Sequence, residues 1–204
     1  MVSIATLIER GERDEDRIVV RRTPGGLIVA VADGAGGVGG GAAAAQSLCE
    51  IVTDVSPDAR RTPLDWVAAI QKADRAMMTS AAGGLTTAVV LETSGTTAFG
   101  ASVGDSGAWI FGSKGIVDLT QHQFRKPLVG NGEAYPVPFG PVEVQGRLLV
   151  ATDGLLKYAP RAELTKRALD GALDHAVRTL VDAVRLRSGG LPDDVAAALI
   201  EIGA

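Results

Sequence analysis

The chain of 204 residues is 46% hydrophobic, enough for one globular domain, residues 1–204, with a core of its own. Its net charge is −4 and its basic residues are scattered rather than gathered into a stripe, which argues against a nucleic-acid partner. A single cysteine excludes an internal disulfide. With no basic leader and no run near the ~20 apolar residues of a membrane helix, the expected setting is cytoplasmic, away from a membrane.

Val2 to Ile8 and Arg17 to Arg22 read as strands flanking a charged segment, Glu9 to Asp16. Leu27 to Ala32 is an uninterrupted apolar run, the pattern of a strand buried on both faces, and it stops at Asp33-Gly34. Six glycines fall between Gly34 and Gly41, and an alanine-rich helix follows to about Val52. Thr62-Pro63-Leu64-Asp65 is a helix start with a capping box, and Trp66, Ile70, Ala73 and Met77 then share one face. Gly83-Gly84 breaks that helix.

Thr86 to Glu92, Thr96 to Val103, Gly107 to Phe111 and Gly115 to Leu119 form a β-rich middle, each separated by a turn signal. Gln121 to Gly146, rich in proline and glycine, reads as irregular loop. Leu148 to Ala151 is a short apolar strand, Ala172 to Arg187 an amphipathic helix and Val195 to Ile202 a final buried strand. Strands and helices are grouped rather than strictly alternating, so α+β layers fit better than a doubly wound sheet.

Acidic residues stand at the ends of these apolar strands: Asp33, Asp105, Asp153 and Asp193-Asp194, with Asp14-Glu15-Asp16 before the strand at Ile18. Each alone is an ordinary turn residue, as Asp170-Gly171 is. Together they suit a hard divalent cation, because clustered carboxylates repel one another until a cation neutralises them. Two such ions roughly 4 Å apart can activate a shared water.

These residues resemble the metal-dependent serine/threonine protein phosphatases of type 2C. The resemblance rests on six motifs in the family's order: Asp14 to Asp16, Val31 to Gly37, Gly84 to Val90, Ala101 to Trp109, Leu148 to Leu155 and Pro192 to Ile200. It implies a four-layer αββα sandwich, with two central, mostly antiparallel sheets flanked by helices and metals at one end. It implies a phosphoprotein or phosphopeptide substrate, hydrolysed with Mn²⁺ or Mg²⁺ in opposition to a Ser/Thr kinase. Carried over, Asp33 would bridge two ions and the Gly34 carbonyl would bind one. Asp153 and Asp193 would hold the other, making Asp33, Asp153 and Asp193 the catalytic set. Glu15 and Asp16 would act through the water shell, and Asp105 at a third metal position.

Departures from the family are specific. Gly11 stands where an arginine often grips the substrate phosphate, leaving Arg10, Arg13 and Lys157 as candidates. Lys157 replaces an acid associated with the third metal, so two ions are expected. Ala35 takes the place of a histidine used by eukaryotic members, and Asp194 that of an asparagine. The segment Leu119 to Leu148 is shorter than the family's flap, which implies a loss of substrate-guiding surface.

Three rival readings are weaker. Gly34-Ala35-Gly36-Gly37-Val38-Gly39 spells a dinucleotide-binding loop, with Asp54 about 20 residues on, as an oxidoreductase would need. It leaves Asp105, Asp153 and Asp193 unexplained. Asp105-Ser106-Gly107 echoes a serine-protease segment, but His122 and His175 both lie downstream. A catalytically weak phosphatase fold acting as a binding module is the third, since a fold does not guarantee its chemistry. Cys49, Trp66 and Trp109 read as core residues.

Overall fold

The computed structural model describes residues 1–35, 39–80 and 83–203. Two five-stranded sheets form its centre. One has the order β1 (Val2–Glu9), β10 (Val195–Ile202), β9 (Arg147–Ala151), β6 (Gly107–Gly112), β7 (Gly115–Asp118). The other runs β2 (Asp16–Thr23), β3 (Gly26–Asp33), β4 (Ala88–Ser94), β5 (Thr97–Val103), β8 (Val137–Glu143). All pairings between these strands are antiparallel.

The alternation of side chains along each central strand builds the layers. In β3, Leu27, Val29 and Val31 face the other sheet, where they meet Leu148, Val150, Ala196, Ala198 and Ile200. Ile28, Ala30 and Ala32 face the opposite way, onto α1 (Gly41–Thr53) and α2 (Pro63–Met78). In β9 and β10 the other face, Leu149, Ala151, Val195, Ala197 and Leu199, packs on α4 (Arg161–Ala168) and α5 (Leu173–Asp182). The result is the expected αββα sandwich. Burying each of these Leu, Ile or Val side chains contributes roughly 1.5–3 kcal/mol, which is why both central strands read as unbroken apolar runs.

The start of α2 follows its sequence signal. The Thr62 amide and hydroxyl both donate to Asp65 Oδ2, each at 2.7 Å, and Trp66, Ile70, Ala73 and Met77 are buried on one face. No described helix is long and apolar enough to cross a membrane.

Four expectations need correction. Gln121 to Gly146 is not irregular throughout, since β8 lies within it. This strand pairs only with β5, at the sheet edge where Pro138 and Pro141 need donate no ladder bond. The chain also forms α3 (Asp153–Leu156) and α4, neither of which carries a clear apolar stripe. Helix α5 ends at Asp182 rather than Arg187, and β4 begins at Ala88 rather than Thr86. Thr86 instead bridges Gly34 on one side and Val129 on the other.

Candidate metal centre

The antiparallel register brings the acidic strand ends to one end of the sandwich. Asp16, opening β2, is directly opposite Asp33, closing β3. Asp105 follows β5, Asp153 follows β9, and Asp193-Asp194 precede β10. Carboxylate oxygens of Asp33, Asp105 and Asp153 lie within 4.8 Å of one another. They share a cleft of 180 Å³ with Arg13, Glu15, Gly34 and Asp193.

Backbone and hydroxyl contacts hold these groups in place. The Asp33 amide donates to Thr87 Oγ1 (2.9 Å), while its carbonyl accepts from the Thr87 amide (2.8 Å) and Thr86 Oγ1 (3.0 Å). Thr152 Oγ1 donates to Asp16 Oδ2 at 2.7 Å, so Asp16 sits buried behind the cleft rather than on its lining. Asp153 begins α3, whose Gly154 packs so closely on the Asp194 carbonyl that a Cβ there would lie 1.9 Å from it. Only glycine lets the start of α3 approach the Asp194 backbone in this way.

The electrostatics of the cleft are those of crowded carboxylates. Burial, with Asp16, Asp153, Asp193 and Asp105 nearby, pushes the Asp33 carboxyl up to about 8. Burial and the charges of Asp194, Asp193 and Asp153 raise Asp16 to about 7, against the hydrogen bond from Thr152. Asp153 is also raised, by burial and then by Asp105, with Lys157 and Arg125 pulling the other way. Glu15 Oε2 is buried and, among the described residues, has no hydrogen-bond partner. An all-oxygen donor set, mutual repulsion and an orphaned carboxylate oxygen fit hard divalent cations such as Mg²⁺ or Mn²⁺.

The three candidate phosphate cations separate in space. Arg13 lines the carboxylate cleft. Arg10 is not part of that lining and pairs with Asp14 at 2.8 Å. Lys157 lines a neighbouring cavity, its Nζ 3.8 Å from Asp153 Oδ2. Gly11 is pressed against the backbone of Asp193 and Asp194.

The roles of several contributors carry no local sequence signal. Asp194 accepts from the amides of Gly11 (2.6 Å) and Glu15 (2.7 Å), and Arg125 Nη2 donates to Asp105 Oδ2 at 2.8 Å. Thr86, Thr87 and Thr152 were visible only as parts of motifs, without a role.

The rival sites fall away. Ser106 is wholly buried with its hydroxyl bonded to Thr87 Oγ1 at 2.7 Å, which does not suit a nucleophile. His175 is exposed on α5, 4.0 Å from Asp170. Burial drives the Cys49 thiol up to about 12, so it is inert as a thiolate. Gly36 and Gly37 of the dinucleotide-like motif lie outside the described residues, but the antiparallel sheets contradict the parallel sheet such a site requires.

Paired antiparallel sheets under helices, with oxygen ligands gathered at one end, define the scaffold of a metal-dependent hydrolase. The sequence pattern of the family described as Protein phosphatase 2C matches residues 5–127. The chain belongs to that family, the metal-dependent serine/threonine protein phosphatases. No curated protein sequence matches it. Among solved structures it is similar to the catalytic domain of the serine/threonine protein phosphatase PstP in complex with two manganese ions. That match has TM-score 0.84 and 19% identity, covering 100% of this chain and 99% of the other. The serine/threonine phosphatase Stp1 from Staphylococcus aureus matches with TM-score 0.85 and 18% identity, over 100% and 96% of the two chains. The S. agalactiae serine/threonine phosphatase matches with TM-score 0.83 and 20% identity, over 100% of both.

Proposed function

We propose that residues 1–204 act as one catalytic domain that removes phosphate from phosphoserine or phosphothreonine in a phosphoprotein or phosphopeptide, opposing a Ser/Thr kinase. The observation that carries this is the meeting of Asp33, Asp105 and Asp153 within 4.8 Å in the cleft that Glu15 also lines, its Oε2 buried and without a partner among the described residues. Asp33, the Gly34 carbonyl, Asp153 and Asp193 would hold two Mn²⁺ or Mg²⁺ ions, with Glu15 ordering the surrounding water. Asp16, bonded to Thr152 and buried behind the cleft, would support the site from there rather than through that water. Asp105 would belong to a weaker third position, where the charges of Arg125 and Lys157 disfavour a cation. Ions bound there supply Lewis-acid activation of a water and neutralise charge on the phosphoryl group.

The chain's own residues supply positioning. Arg13 lines the cleft, which supports a role for it in orienting the substrate phosphate. Thr86 and Thr87 fix Asp33 through its backbone, and Thr152 fixes Asp16.

Calorimetric titration with Mn²⁺, paired with hydrolysis of an aryl phosphate and a phosphothreonine peptide, tests the reading. Binding of two ions and metal-dependent turnover are expected, both lost in Asp33→Asn and Asp153→Asn. Metal-independent turnover, or full activity in either variant, overturns it.

A further inference from the structure

Beside the carboxylate cleft lies a second cavity of about 420 Å³, and the two share Asp105 and Asp153 as a common wall. Trp109 and Leu156 line it, while Arg125 and Lys157 bring positive charge. The segment carrying Arg125 is tied to the turn carrying Asp105. The Gly104 amide donates to the Phe124 carbonyl at 2.8 Å, and Gln123 Nε2 donates to the Ser106 carbonyl at 2.7 Å. The backbone that carries Arg125 is therefore anchored beside the Asp105 turn.

The charges around this cavity are unevenly committed. Asp118 Oδ1 accepts from the amide and hydroxyl of Thr120 (3.0 and 2.9 Å), and its Oδ2 pairs with Arg161 at 3.4 Å. The Arg161 guanidinium also covers the Trp109 ring, 4.7 Å from its centroid. Arg125 is 74% exposed and, among the described residues, uses one of its five N–H donors, toward Asp105. Lys157 stands 3.8 Å from Asp153. Both partners are carboxylates of the metal cleft. With Asp153 committed to a divalent cation, Lys157 loses that counter-charge, while Arg125 keeps Asp105 and, among the described residues, has its other N–H donors left for a second anion on the cavity wall. Exposed ion pairs are weak and readily exchange partners.

We propose that this cavity is a subsite for a second anionic group on the substrate, a carboxylate or a further phosphoryl group on a residue neighbouring the phosphorylated one. The inference rests on the phosphatase reading above and adds a substrate preference to it. The segment expected to have lost its substrate-guiding surface instead supplies the arginine. Arg125 is a specificity-determining residue here: it contacts the substrate beside the phosphate rather than the phosphate itself.

The test uses the full chain with Mn²⁺ and phosphothreonine peptides carrying aspartate, a second phosphothreonine, alanine or lysine at each neighbouring position in turn. For the best-placed position, kcat/KM with aspartate should exceed that with lysine by about tenfold or more, chiefly through KM. The second-phosphothreonine peptide should follow aspartate. Arg125→Gln and Lys157→Gln should each collapse the aspartate-to-lysine ratio toward one, and Arg125→Lys should retain part of it. The same order should appear in calorimetric Kd values for peptides bearing a non-hydrolysable phosphonate. Equal turnover and equal Kd across the panel overturn the subsite while leaving the phosphatase reading intact. A preference that survives Arg125→Gln and Lys157→Gln together also overturns it. Absence of any Mn²⁺-dependent turnover overturns both.

Discussion

Asp194 holds Glu15 by the backbone: its Oδ2 accepts the Glu15 amide at 2.7 Å while its Oδ1 accepts the Gly11 amide at 2.6 Å. A carboxylate can accept both bonds. The asparagine found here in the resembled family offers one carbonyl oxygen and would turn an N–H toward the other amide. Asp194→Asn should therefore leave a part-buried amide without an acceptor, at a cost of about 1–3 kcal/mol. A thermal melt should drop by several degrees, and Mn²⁺ affinity should weaken as Glu15 and Asp193 shift. A variant with unchanged melting and unchanged Mn²⁺ titration would show that the clamp is idle.

The raised carboxyls of Asp33 and Asp16 make the metal-free protein sensitive to pH. Their folded values, about 8 and about 7, stand above the ordinary 3.8. Between these limits the folded chain keeps protons that the unfolded chain has released, so stability falls as pH rises from about 4 to about 8. In EDTA the protein should melt lower at about pH 8 than at about pH 5. Asp33→Asn should flatten that slope and raise the melting temperature at the upper end. Saturating Mn²⁺ should oppose the fall, because cations bind the deprotonated carboxylates. The contrast between wild type and Asp33→Asn is the measurement; identical slopes refute the crowding argument.

Asp74 organises the loop that joins β7 to β8. From the buried side of α2 its carboxylate accepts the amides of Gly130 (2.7 Å), Gly132 (2.9 Å) and Ala134 (3.0 Å). The same loop exchanges backbone bonds with Thr86, whose hydroxyl donates to the Asp33 carbonyl. Asp74→Ala strands three amides and should cost at least the ~1–3 kcal/mol of one lost buried partner. Amide exchange should accelerate across Val129 to Ala134 before it does in β3. Uniform exchange in variant and wild type would mean that the loop is held by its other contacts.

How much of this was legible follows from where each partner sits in the chain. Strand β3 was readable because both of its faces are buried, so every residue from Leu27 to Ala32 is apolar, and the carboxylate that ends it stands out. Asp105, Asp153 and Asp193 were found by the same pattern. Strand β8 was not, because its glycine and prolines are tolerated only at a sheet edge and edge position is a tertiary fact. Helix α4 buries two side chains, Leu164 and Ala168, too few for a periodic signal. Asp194 acts on residues 183 and 179 positions away, so nothing local betrays its role. Arg10 and Arg13 look equivalent in sequence; the turn between β1 and β2 puts only Arg13 on the cleft wall.

Restoring the family's arginine at position 11 should harm this protein rather than improve it. A Cβ built on Gly11 would lie 2.7 Å from the Asp193 carbonyl carbon and 2.9 Å from both the Asp193 oxygen and the Asp194 nitrogen. Those are backbone atoms of the segment that presents Asp193, so they cannot swing aside as a flexible side chain would. Gly11 also donates its amide to Asp194, and any shift of residue 11 disturbs that bond. Overpacking of this kind costs about 1–3 kcal/mol. Gly11→Ala and Gly11→Arg should share the same loss of stability and of Mn²⁺ affinity, because the first side-chain atom does the damage. The arginine should bring no compensating fall in KM for an aryl phosphate. If Gly11→Arg instead lowers that KM while Mn²⁺ binding stays at the wild-type level, the close packing at Gly11 is not what keeps an arginine out of this position.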